Sequence, residues 1–127
     1  MTNGMRSANA NHVDFGFLMG VIKSNLTFQA SDIDMVMERN NKFLFVEWKR
    51  DGQELKDMKK GQKRLLKSLS NYEEINTVWI IEGYSLPSER QVGRIYKLKK
   101  GKIIELGRGE SCLLEKINAW YNYADNS

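Results

Sequence analysis

Two apolar runs near the middle of the chain, Ile33-Asp34-Met35-Val36-Met37-Glu38 and Lys42-Phe43-Leu44-Phe45-Val46-Glu47-Trp48-Lys49, flank the polar tripeptide Arg39-Asn40-Asn41. Short apolar runs joined by residues that accept positive φ predict a β-hairpin. Leu26-Thr27-Phe28-Gln29-Ala30 is a short strand candidate ahead of it. Thr77-Val78-Trp79-Ile80-Ile81-Glu82 is continuously apolar rather than alternating, which predicts a central strand covered on both faces. Residues 94–107 read as a second hairpin, turning near Lys100-Gly101.

Three stretches carry helical spacing. Residues 13–22 place Val13, Phe17 and Met19-Gly20-Val21 at helical intervals, predicting a short helix. Residues 54–69 put Leu55, Met58, Leu65, Leu66 and Leu69 on one stripe and lysines on the other face. Residues 111–124 form a terminal helix with Ser111 as N-cap and Leu113, Leu114, Ile117, Trp120, Tyr121 and Ala124 as its buried face. Residues 1–12 are small and polar and read as a tail. The order is α-β-β-β-α-β followed by a hairpin and a helix. This predicts one α/β domain over 1–127, a mixed sheet flanked by helices.

Composition narrows the classes. A chain of 127 residues with 41% apolar and 28% charged residues is an ordinary globular domain with no membrane-length apolar run. The single cysteine, Cys112, fits a reducing cytoplasm, and one cysteine with one histidine, His12, builds no common zinc site. Net charge is +4, but residues 42–67 hold nine Lys/Arg against four Asp/Glu, +5 in that window alone. A second group, Arg94, Lys97, Lys99, Lys100 and Lys102, contains no acid. Two basic clusters point towards a polyanionic partner.

Glu47 and Lys49 share a face at the end of their strand, because side chains alternate. In a hairpin turning at 39–41, Asp34 lies roughly opposite residues 46–47, and a small register shift puts its carboxylate beside that of Glu47. Two convergent carboxylates repel unless a cation joins them. A hard divalent ion such as Mg²⁺, with Mn²⁺ as a substitute, takes one carboxylate from each strand, the Trp48 backbone carbonyl, and waters or a phosphate. Lys49 is then placed to hold an attacking water or offset transition-state charge. Gln62 interrupts the apolar stripe of its helix, and a buried amide needs partners. Its neighbour Gly61 would allow close approach of another backbone.

Asp34, Glu47 and Lys49, in the stretch DIDMVMERNNKFLFVEWK, and Gln62, in KKGQKRLL, together resemble the PD-(D/E)XK nuclease superfamily, most closely its small resolvase-like and VRR-type members. The resemblance spans roughly residues 13–82 and implies the family's αβββαβ core, a restriction-endonuclease-like fold. It implies a Mg²⁺-dependent deoxyribonuclease, acting as an endonuclease and as a homodimer, in the cytoplasm or, if serving a phage or mobile element, in the host cytoplasm. Asp34, Glu47, Lys49 and Gln62 would be its catalytic residues. Ile33 stands where the family's proline would be. Asp14 is the one acid available on the first helix, and Asp32 competes with Asp34 on the same strand face. Asp34 is favoured because an apolar run follows it directly. Lys56, Lys59, Lys60, Lys63, Arg64 and Lys67 would track the phosphate backbone. The alternative is a non-catalytic nucleic-acid-binding module on the same fold.

Overall fold

The computed structural model describes residues 15–49 and 58–127. The chain divides into two compact units, one ending at Ala30 and the other beginning at Ser31. In the first, the expected helix over 13–22 is reduced to a single 3₁₀ turn, Gly16–Leu18, and Val13 and Asp14 lie outside the described residues. Gly20 sits at φ +80°, which breaks helical continuity. Residues 26–30 form a turn followed by irregular backbone, not the expected strand.

The second unit is a five-stranded mixed sheet with one helix on each face. In chain order its elements are β1 (Met35–Arg39), β2 (Lys42–Lys49), α1 (Lys60–Ser70), β3 (Asn76–Ser85), β4 (Arg90–Lys99), β5 (Lys102–Arg108) and α2 (Glu110–Asp125). Spatial order follows chain order, and only β2 and β3 run parallel, joined across the sheet by the crossover that contains α1. The chain is thus α/β, as expected, but among the described residues the leading helix and first strand of an αβββαβ order are missing.

The two hairpins form where the sequence predicts them. The first turn is shorter than expected. Asn40 and Asn41 alone make it, at φ +57° and +66°, while Arg39 remains in β1 opposite Lys42. Positive φ at both central residues matches the twist of a two-residue hairpin. Lys100 and Gly101 repeat that geometry at φ +49° and +81°.

Strand alternation divides the core in two. Leu44 and Val46 of β2, Trp79 and Ile81 of β3, and Ile95 of β4 pack against Leu113, Trp120 and Ala124 of α2. Val78 and Ile80 of β3 and Tyr96 and Leu98 of β4 pack against Leu66 of α1 and Met58 just before it. β3 contributes to both, which is why its run is continuously apolar.

The helices depart from expectation at their starts. α1 begins at Lys60, with Lys59 as its N-cap, and residues 54–57 of the expected helix lie outside the described residues. α2 begins at Glu110 with Gly109 as N-cap, so Ser111 lies inside the helix. Leu114 and Tyr121, expected on its buried face, are exposed. Gly61 has only the Ser31 hydroxyl 3.7 Å from where a Cβ would stand, so no backbone approaches it closely.

Candidate active site

The register of the first hairpin decides the site. Met35 pairs with Val46, so Asp34, one residue before β1 begins, falls beside the Glu47–Trp48 end of β2. There the Trp48 N–H donates to Asp34 Oδ2 at 2.8 Å. Phe43 sends its N–H to Ile75 O on the β3 side, so even-numbered residues of β2 direct their backbone groups towards β1. Trp48 therefore turns both N–H and C=O to the edge where β1 has ended, and Asp34 takes the N–H in place of a strand partner. The Trp48 carbonyl is left on that edge.

On the α1 face of β2, Phe43 and Phe45 stack at 6.1 Å between ring centroids, and Glu47 and Lys49 continue the row. Glu47 is 5% exposed, in register with Ile80 of β3. Lys49 Nζ stands 3.7 Å from Glu47 Oε2 and donates to Gln62 Oε1 at 2.9 Å. Gln62 Nε2 donates to Glu47 Oε2. The amide thus bridges an acceptor-only carboxylate and a donor-only ammonium, which fixes which of its ends faces which. Gln62 lies one turn before Leu66 on α1, so it occupies the stripe position closest to the end of β2.

The electrostatics are unbalanced. Burial, and next the charge of Asp34, push the Glu47 carboxyl up from an ordinary value near 4.5 to about 7, although Lys49 and Gln62 favour the ionised form. Glu47 Oε1 is buried without a hydrogen-bond partner among the described residues. An orphaned carboxylate oxygen, a second carboxylate close by and an edge carbonyl form a donor set suited to a hard cation. Among the described residues, no three His, Cys, Asp or Glu side chains converge to cage an ion by themselves. Two carboxylates with waters and substrate phosphate suffice for Mg²⁺.

Asp34, Glu47, Lys49 and Gln62 are therefore brought together, and Trp48 turns its carbonyl to the same edge. Asp32 and Asp34 are both exposed, but Asp32 lies two residues further from the hairpin, and the Trp48 N–H donates to Asp34. Asp14 and Lys56 lie outside the described residues. Lys59, Lys60, Lys63, Arg64 and Lys67 are exposed on or beside α1, away from its buried stripe. Sequence reasoning missed Glu82, the register partner of Lys49 on β3, which lies at a bulge between Ile81 and Gly83. The signal was present, since TVWIIE ends in an acid after an apolar run as FLFVE does.

No protein-family model, no curated protein and no solved structure matches this chain. No helix among the described residues is long and apolar enough to cross a membrane.

Proposed function

We propose that the chain is a metal-dependent nuclease hydrolysing phosphodiester bonds of DNA. The observation that carries the reading is the convergence of Asp34, Glu47, Lys49 and Gln62 at the end of β2, with a carboxylate buried beside another carboxylate and one of its oxygens unpartnered. A fold stabilised by that site alone would not put two acids there.

Asp34, Glu47 and the Trp48 carbonyl would hold the ion. Mg²⁺, or Mn²⁺ in its place, supplies polarisation of a phosphoryl oxygen and a water of lowered pKa. Lys49 presents its ammonium beside the carboxylates, where it orients a nucleophile or offsets charge developing on the phosphate. Gln62 acts as a positioning residue: it fixes the Lys49 ammonium on one side and the Glu47 oxygen on the other. Exposed Lys59, Lys60, Lys63, Arg64 and Lys67 give the α1 side a positive field for the phosphate backbone. Cutting both strands of a duplex would call for a second copy, in line with the expected homodimer.

The test is a panel of labelled single-stranded, duplex, nicked and four-way DNA with Mg²⁺, Mn²⁺ or EDTA. Cleavage should require the divalent ion. Asp34→Asn and Glu47→Gln should lower it by more than about a hundredfold, and Gln62→Leu by roughly 10–100-fold, the range for groups that orient a ligand. Lys49→Ala should lower turnover more than affinity. Binding without cleavage on every substrate would replace this reading with the non-catalytic module.

A further inference from the structure

A cavity of about 360 Å³ lies beside α2 at the end of the sheet where β3 begins, with Ser70 at the end of α1 and Glu73 also in its lining. Lys97 and Lys99 of β4 and Lys116 of α2 line it, together with Trp79, Trp120 and Tyr123. Trp79 is paired in register with Lys97, and Lys99 follows two residues on, so both lysines project to the α2 side. Glu47 and Lys49 project to the α1 side, so this cavity is separate from the carboxylate site.

We propose that this cavity binds a single-stranded nucleic acid, with its phosphates on Lys97, Lys99 and Lys116 and a base against the ring of Tyr123. Among the described residues none of the three lysines has an ion-pair partner. The one acid in the lining, Glu73, lies 3.9 Å from the ammonium of Lys100. The lining therefore holds three unpaired cations and one acid that already faces another cation. Tyr123 is 49% exposed, and the Lys42 ammonium stands 6.0 Å from its ring centroid, adding charge to the same rim. Cations around an exposed aromatic ring are what a single strand requires, since the backbone supplies the charge and every base has a stackable face. A volume of about 360 Å³ lies in the range of small-ligand sites. The indole N–H of Trp120, in the cavity wall, is buried without an acceptor among the described residues.

The basic surface does not stop at the cavity. The Lys67 side chain lies against the β4–β5 turn, with its Cε 3.0 Å from the position of a Cβ on Gly101. The cations of α1 thus meet Lys100 and Lys102 at that turn, and Lys99 and Lys97 follow on β4. A strand leaving the α1 side would pass Lys67 and Lys102 on its way to the cavity.

The experiment measures fluorescence polarisation of a labelled oligothymidylate of about eight nucleotides, a length within single-strand site sizes. It uses the full chain in EDTA over a salt series, so it does not depend on cleavage. Lys97→Ala with Lys116→Ala should weaken binding at least about tenfold and flatten the slope of log affinity against log salt by about 1.4, two single-strand phosphate contacts. Tyr123→Ala should cost roughly five- to a hundredfold and Tyr123→Phe almost nothing. Lys59→Ala with Lys63→Ala should weaken binding by less than the Lys97/Lys116 change does, since those two cations stand on the approach and not in the cavity. The proposal is overturned if the Lys97/Lys116 variant binds like the parent, or if the Lys59/Lys63 variant accounts for the whole loss. It is overturned equally if polyglutamate binds as tightly as the oligonucleotide with no effect of Tyr123→Ala, which would mark an acidic polypeptide site.

Discussion

The two faces of β2 meet their helices in different ways. Towards α2, Leu44, Val46 and Trp48 are apolar to the strand's end, and Trp120 and Leu113 close over them. Towards α1, Phe43 and Phe45 begin the same pattern, but Glu47 and Lys49 take the next two positions and Gln62 replaces an apolar residue on the helix. One face spends every position on burial. The other gives up core positions at one end, where the buried groups are charged and incompletely partnered. Natural folds tolerate such a departure where a site needs it.

The largest change should come from the closed face. Trp120→Ala removes a side chain 6% exposed from the α2 cluster and should destabilise the fold by about 3–5 kcal/mol, read from the urea midpoint. If truncation there cost less than truncation of Phe45, the contrast between the faces would fail.

The open face should respond in the opposite direction. Glu47 holds its proton more tightly folded than unfolded, because its folded pKa is near 7 and its ordinary value near 4.5. As pH rises through that window the unfolded chain gives up its proton first. Stability without divalent ions should therefore fall between about pH 4.5 and 7 and level off above. Glu47→Gln should remove that slope and, at pH 8, stabilise the fold by on the order of 1–3 kcal/mol. Thermal melts in EDTA across this range measure both. Added Mg²⁺ should raise the parent's midpoint at pH 8 and leave that of Glu47→Gln nearly unmoved. A destabilised Glu47→Gln would mean that the carboxylate is structural.

The pattern of what the sequence revealed follows the same division between local and distant causes. The first hairpin is readable because its turn and its alternation are local, but the register that sets Asp34 against Glu47 depends on a turn one residue shorter than the asparagines and Arg39 suggested. β3 is readable because burial on both faces leaves no polar position inside it. The helix expected over 13–22 fails since Gly16 and Gly20 interrupt its apolar spacing, and a weak periodicity does not outweigh them. The start of α2 was unreadable for another reason. Gly109 donates its N–H to Gly93 O, and Arg90 pairs with Glu110 at 2.6 Å, so contacts with β4 set the first turn. Nothing near Ser111 reports them. Glu82 was overlooked because the acid that ends TVWIIE gains its place only from the parallel pairing with β2, and the local pattern marks the acid but not its partner.

The smallest effect tests the start of α2. Ser111→Ala should leave stability within about 0.5 kcal/mol of the parent. A serine that capped the helix would cost roughly 0.5–2 kcal/mol on the same change.

Asp34 and Glu47 are thirteen residues apart within one hairpin, whereas Gln62 reaches them only after α1 packs on the sheet. A hairpin can form within microseconds, long before a parallel crossover closes. The acids then meet first in water, where their repulsion is weak, and it grows only as the helix covers them. The electrostatic cost thus falls late on the folding path, at the docking of α1. In EDTA, raising the pH from 5 towards 8 should leave early hairpin formation unchanged, and the step that buries Glu47 should carry the pH dependence.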